Sequence, residues 1–526
     1  MSVYARRRLM ALGAAVVLAG GLAVAVVALV GGGDSAPATG TARLVPAGAL
    51  GFVHLSTDAG RAGTKRAVAL MRKFPTVEAL AHRIVGALAR TGRGLGVDYA
   101  RDIAPWIGKE TALALVDLGN GVASSEIIVG VRDRAGAQGF LGRLGKPART
   151  SVVGGVEVSD YGGQSVAFVS GYLVTGPDAV VRQAIALSAG HGAALADAGP
   201  YRRAIAGAPA GRVLDAYASA AGVSRVLAPS GGALGALGGL LARPGLQGAY
   251  LAVTAHSHSA NVHVHEVLAP GTRVTAPFAP TLAGAAHVPA MAFLDTAGLD
   301  RALPGLLALA RTTSLTAGLG PLLGRIGNAL AGAGVDLRRD IAPLVAGETA
   351  VVLTPNQPVP TLTVVARTAD EARARTLLAS LQGPLARVLG AATAGSGTVP
   401  TFTQRAVAGA VAYRLRVNPA LEVDYAIANG RIVVSTSLNG IAAAMGGKGS
   451  LSGDSTFREV TGGPKRATSV LFLDLDQLLR LGAQAGLDQD PQFLAVRKDL
   501  RRVHAVGLTA SSGEAQSTAE LSLQIP

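Results

Sequence analysis

Residues 96–112 read GVDYARDIAPWIGKETA, and residues 334–350 read GVDLRRDIAPLVAGETA. The two segments align without a gap at an offset of 238 (334 − 96), and 11 of their 17 positions are identical. Agreement of this kind within one chain predicts an internal repeat, which decides the architecture before any single element is assigned. The flanks keep the same order. Val45-Pro46-Ala47 ahead of Gly51-Phe52-Val53-His54-Leu55 corresponds to Val288-Pro289-Ala290 ahead of Met291-Ala292-Phe293-Leu294. Residues 127–132 correspond to 362–367, 166–174 to 425–433, and Leu195 with Tyr201 to Leu451 with Phe457. Val213-Leu214-Asp215 then corresponds to Phe472-Leu473-Asp474, and residues 251–255 to 506–510. The expected organisation is a first unit at 44–268 and a second at 285–526. The linker at 269–284 is stiffened by Pro270, Pro277 and Pro280.

Within a unit the local patterns are mixed. Alternating runs at 111–116 and 126–131 predict strands. Val77, Leu80, Ile84, Val85 and Leu88 predict an amphipathic helix over 67–88. Residues 178–186 read as a helix with Asp178 as its cap. Gly171 and Asn429-Gly430 mark hairpin turns. Strands in consecutive pairs with helices between them give an α+β class, two tandem units of mostly antiparallel sheet with packed helices, after one N-terminal transmembrane helix.

That helix is read from residues 9–30, an uncharged apolar run behind Arg6, Arg7 and Arg8. At ~1.5 Å per residue it spans ~33 Å, enough for a hydrocarbon core of ~30 Å. The arginines keep residues 1–8 cytoplasmic and send the rest outward. The expected address is a single-pass cell membrane protein with its main part extracytoplasmic. Ser35-Ala36-Pro37-Ala38 allows the alternative, secretion after signal cleavage. Residues 31–43 read as a flexible linker.

The formal net charge is +15, but the basic residues are scattered and aromatics make up only 4%, which argues against nucleic acid. The absence of cysteine excludes disulfides, thiolate metal sites and cysteine nucleophiles. Nothing in the sequence calls for a cofactor.

The N-terminal anchor, the repeated GVD…DIAP…ET segment and the strand ending NGRIVVST (429–436) together resemble the bacterial domain of unknown function 3352 family. The resemblance covers nearly all of the expected exported region. It implies an anchored or exported protein and transfers no functional residues. The second unit departs from the first in having Leu344 where the first has Trp106.

Asp98, Asp102, Pro105 and Glu110 recur as Asp336, Asp340, Pro343 and Glu348. Carboxylates repeated in this way could serve acid–base or metal chemistry. The simpler reading is structural: Asp98 opens a short turn, Arg101 neutralises Asp102, and Trp106 and Ile107 pack inward. His256, His258, His263 and His265 form the second group. A turn at Ser259-Ala260 pairs positions whose numbers sum to 519, which sets His256 opposite His263 as a metal-ligand candidate. A one-residue slip removes that site. Gly231, Gly235 and Gly239, and the apolar stretch 303–333, suggest close helix packing or an apolar lining.

No nucleophile elbow, HExxH or phosphate loop is present. The favoured function is therefore a membrane-anchored binding or scaffold module at the cell envelope, with a lipid or other apolar ligand and a groove between its units. One alternative is an envelope hydrolase or metal-dependent enzyme using the carboxylates or the histidine hairpin. The other is a structural surface protein without ligand.

Overall fold

The structure, a computed structural model, describes residues 35–74, 99–119, 123–229, 241–298, 332, 340, 342–356, 359–391, 400–418, 421–446, 449–484, 486–489 and 491–526. The predicted membrane span, Asp98 and Asp336, the 231–239 glycines and almost all of 303–333 lie outside these residues. Among the described residues no helix is long and apolar enough to cross a membrane.

The first half holds β1 (Gly51–Ser56), β2 (Ile107–Asp117), β3 (Ala123–Val131), β4 (Arg149–Val153), β5 (Val156–Asp160), β6 (Ser165–Val169), β7 (Tyr172–Gly176), β8 (Arg212–Ser219), β9 (Leu246–Ala255) and β10 (Ser259–Leu268). The second holds β11 (Ala292–Ala297), β12 (Glu348–Thr354), β13 (Thr361–Arg367), β14 (Thr403–Val407), β15 (Ala410–Asn418), β16 (Leu421–Ala428), β17 (Arg431–Ser435), β18 (Ser469–Asp474), β19 (Ala505–Ser512) and β20 (Gln516–Gln524). Every strand pairing is antiparallel. The pairings run β4-β5-β6-β7-β3-β2-β1-β8-β9-β10, continue through β10–β20, and return as β20-β19-β18-β11-β12-β13-β17-β16-β15-β14. Adding ten to each strand of the first half gives the order of the second. Strand class and antiparallel pairing agree with the sequence reading.

Local chemistry explains the shared path. In β1 the side chains of Phe52, His54 and Ser56 are buried and alternate with less buried Gly51, Val53 and Leu55, the period-2 pattern of a sheet with two unlike faces. The β6–β7 and β16–β17 hairpins turn on Ser170-Gly171 and Asn429-Gly430, all with positive φ as a type I′ turn requires. Each core is pinned by an aromatic trio: Tyr201 edge-on to Phe52 and Tyr217 in the first half, Phe457 edge-on to Phe293 and Phe472 in the second. Here α1 is Ala62–Met71, α2 Arg134–Leu144, α3 Asp178–Ser188, α4 Gly199–Ile205, α5 Glu371–Ala391, α6 Leu438–Gly446 and α7 Ser455–Thr461.

Several expected details shift. The helix expected over 67–88 is described only as α1, which starts at Ala62. Pro177, not Asp178, occupies the cap of α3, and Asp178 instead accepts from Arg182 at 2.6 Å. Leu195 N–H donates to Val45 O and Leu451 N–H to Ala286 O, so Val45 corresponds to Ala286 and not to Val288. Phe52 faces Tyr217 and Phe293 faces Phe472, so Asp215 corresponds to Val470 and not to Asp474. The last pair of runs slips likewise, Ala252 corresponding to Thr509 by their pairing with Asp215 and Val470. The expected linkers are also shorter at their ends. Gly40 and Thr41 donate to Glu110, and Thr281 and Leu282 donate to Glu348, so both pairs belong to the folded halves.

Candidate functional site

The histidine hairpin adopts a register whose paired numbers sum to 515: Ala260 faces Ala255 and His263 faces Ala252. The turn is His256-Ser257-His258, closed by His256 N–H donating to Ser259 O at 2.8 Å, and the expected His256–His263 pair does not form. The alternation in HSHSANVHVH accommodates either turn. The buried side of β9, carrying Tyr250 and Ala252, selects the observed one. His256 and His258 are exposed at the turn, while His263 and His265 share one face of β10. Among the described residues no three His, Asp or Glu groups are arranged to hold a metal ion.

His263 and His265 instead line a groove where the halves meet. It has a volume of about 520 Å³ and lies between the ends of α4 and α7 over β10 and β20. His263 lies opposite Glu520 across the β10–β20 joint, its Nδ1 4.0 Å from Glu520 Oε1. His265 Nδ1 contacts Ala204 O at 2.8 Å and its Nε2 contacts Gln516 Oε1 at 3.1 Å. Thr509, Ser511 and Thr518 complete a polar floor.

Of the repeated carboxylates, Asp102 is buried between Arg101 Nε at 3.1 Å and Arg143 Nη2 at 3.2 Å. Trp106 is 2% exposed, lies 5.6 Å from the Phe140 ring, and donates its indole N–H to Asp102 O at 2.7 Å. Asp340 is half-buried, and Pro105 and Pro343 are exposed. Glu110 and Glu348 do equivalent work, each accepting backbone N–H groups from the segment that enters its half.

Glu110 also belongs to a buried cluster that sequence reasoning missed. His54 is 1% exposed. Its Nδ1 lies 2.9 Å from Asp215 Oδ2, directly opposite on β8, and its Nε2 3.3 Å from Glu110 Oε2 on β2. Arg212 Nε is 2.7 Å from Asp215 Oδ1, to which Tyr250 also donates, and Tyr172 donates to Glu110 at 2.6 Å. Burial opposes a charge on the His54 ring, but its hydrogen bonds to Asp215 and Glu110, with their charges, outweigh it and raise its pKa above 6.5. Burial pushes Glu110 up, yet the hydrogen bonds from His54 and Tyr172 and the His54 charge bring it below the usual carboxylate range. The one available signal was a histidine at a buried period-2 position of an apolar strand. A catalytic His needs one ring nitrogen free for a nucleophile. Here both nitrogens face carboxylates, so the cluster holds three strands together and offers no reactive atom to solvent. At the corresponding point of the second half stands Asp295, fully buried, with Glu348 beside it.

The opposite face of the first sheet carries a cavity of about 290 Å³. Leu113, Leu115, Val226, Leu227, Leu241 and Val264 contribute aliphatic side chains to it. Gly51 and Val53 supply its floor, because they alternate with Phe52 and His54 along β1.

No curated protein matches the chain. Among solved structures, "Structure of crystal form I of TP0453" is 9% identical and covers 45% of this chain and 82% of its own, with a TM-score of 0.28. Crystal form III of TP0453 is also 9% identical, covering 44% and 81%, with a TM-score of 0.27. The model of the family described as "Protein of unknown function (DUF3352)" matches residues 11–525, so the chain belongs to that family.

Proposed function

We propose that the chain is a membrane-tethered extracytoplasmic binding module, built by duplication of one ten-strand unit, whose first unit holds an apolar ligand. The observation that carries this reading is the aliphatic cavity of about 290 Å³ on the outer face of the first sheet. The double closure of His54 by Glu110 and Asp215 weighs against the hydrolase alternative. Duplication is supported by the two identical strand orders, the paired turns and the two aromatic trios. The tether rests on the apolar run 9–30 behind Arg6, Arg7 and Arg8.

Native mass spectrometry of the purified protein, followed by organic extraction, tests the reading. A reproducible extra mass that extracts as lipid is expected, and Ala216→Phe, which fills the cavity from its floor, should abolish it. Cis-parinaric acid should bind the wild type and be excluded by the same variant. A clean apo mass together with no uptake of the probe would sink the ligand and leave a scaffold.

A further inference from the structure

The second half contains a pocket whose equivalent position in the first half is filled, among the described residues, by larger side chains. It has a volume of about 190 Å³ and lies between residues 285–289, strands β12 and β13, and the start of α6. Equivalent hydrogen bonds fix which residues correspond. Val45 and Ala286 accept from Leu195 and Leu451, while Val180 and Gly440 donate to Pro177 O and Ser437 O at the start of their helices. The β2–β3 and β12–β13 registers set Glu126 against Thr363 and Ile127 against Val364, so the run at 127–132 corresponds to 364–369 and not to 362–367 as the sequence suggests. Where the first half has Val45, Glu126 and Val180, all buried, the second has Ala286, Thr363 and Gly440. The exchange is coordinated. A Cβ on Gly440 would lie 2.1 Å from Ser435 Oγ, and the strand position matching Ser435 in the first half is Gly176, which leaves room for Val180. The bulk of two valines and a carboxylic side chain gives way to hydroxyls and space.

The hydroxyls are ordered. Thr361 Oγ1 lies 3.1 Å from Ser437 Oγ, Thr363 Oγ1 lies 2.9 Å from Ser435 Oγ, and Asn356 donates to Thr361 at 3.1 Å. Among the described lining residues His287 is the one ionisable group and none carries a permanent charge, so a charged ligand would lose its hydration with at most a single imidazole to replace it. Val352 and Val365 flank Thr363 on the same face of the sheet, and Val288 and Pro289 add apolar lining from the entering segment. A volume of about 190 Å³, many times that of one water-sized probe, is enough to admit a small molecule. Paired hydroxyls and an amide interspersed with C–H-compatible aliphatic groups match a small uncharged polyhydroxylated molecule. We propose that this pocket binds a neutral polyol or a single sugar unit.

The test uses the full chain in a detergent without a sugar headgroup, with saturation-transfer difference NMR against D-glucose and myo-inositol. Acetate and n-butanol serve as charged and apolar comparators. Binding of at least one polyol in the millimolar range is expected, with neither comparator bound. Ser435→Gly with Gly440→Val rebuilds the packing of the first half and should weaken binding at least tenfold. Thr363→Val, which keeps the shape and removes one hydroxyl, should weaken it several-fold and decides the matter if the double variant does not fold. Absence of any polyol signal, preference for acetate or butanol, or unchanged binding in a folded variant would overturn the proposal.

Discussion

Replacing Asp295 by Asn should stabilise the second half, by an amount that depends on pH. Burial, with the charge and hydrogen bond of Glu348 added to it, pushes the Asp295 carboxyl from 3.8 up to about 8. At pH 7 the folded chain therefore holds this group protonated, whereas the unfolded chain ionises it. The gap of 3.2 units (7.0 − 3.8) at ~1.36 kcal/mol each makes the cost of keeping it neutral about 4 kcal/mol. Asn has nearly the same shape, can still donate to Glu348, and has no proton to lose. Its second N–H must find a partner in a buried site, which takes back about 2 kcal/mol and leaves a gain of about 2. The sign follows from the raised pKa. The stability that protonated Asp295 contributes is complete below pH 3.8 and is lost as pH rises toward 8. The advantage of Asp295→Asn should therefore grow by about 3 kcal/mol between pH 5 and pH 7. Urea unfolding followed by far-ultraviolet circular dichroism is the assay, because the single tryptophan, Trp106, sits in the other half. A variant less stable than wild type at pH 7, or an advantage that stays flat between pH 5 and 7, would refute the reasoning.

Four further outcomes follow from the buried charges and the close packing. His54→Leu removes the cation between Glu110 and Asp215 and should cost about 3–5 kcal/mol, read as a lower urea midpoint for the first half. Because the His54 pKa is raised above 6.5, its stabilisation is full below that value and is lost as pH rises through the folded-state pKa, so the wild-type midpoint should fall as pH climbs above 6.5 and that of His54→Leu should not share this decline. Glu126 is fully buried with neither carboxylate oxygen hydrogen-bonded, and burial pushes its pKa well up, so Glu126→Met should raise Tm at pH 8 more than at pH 5. Gly222→Ala would set a Cβ 1.7 Å from Leu50 O, a backbone atom, and should speed proteolysis of the first half.

What the sequence made legible was local or repeated. The turns at Gly171 and Asn429-Gly430 declared themselves because φ > 0 demands those residue types. Asp102, Arg101 and Trp106 lie within five positions of one another, so their mutual contacts could be read off spacing. The correspondence of Tyr201 with Phe457 survived because both fill the same aromatic trio. What escaped was long-range or ambiguous in period. His54 meets Asp215 from 161 positions away, and no spacing rule reaches that far. The hairpin at 255–259 slipped because histidine recurs at every second position on both arms, with serine between on one and valine on the other, so the pattern tolerates two registers. The pocket beside Gly440 is a difference between two cores, visible only when the exact correspondence of positions is known.

The place of β20 has a temporal consequence. This strand, last in sequence, is not at a margin of the sheet but between β19 and β10, at its centre. The true margins are β4 and β14, short and carrying Arg149 and Arg405. Until residue 524 has emerged, β10 keeps a free row of backbone donors and acceptors, flanked by Val262 and Val264, that any extended segment could claim. The first half can assemble early, but its most adhesive flank waits on some 250 further residues, a count set by the separation of Val267 and Gln516. Synthesis of this chain therefore has a long vulnerable interval that ends only when β20 zips the two halves into one sheet.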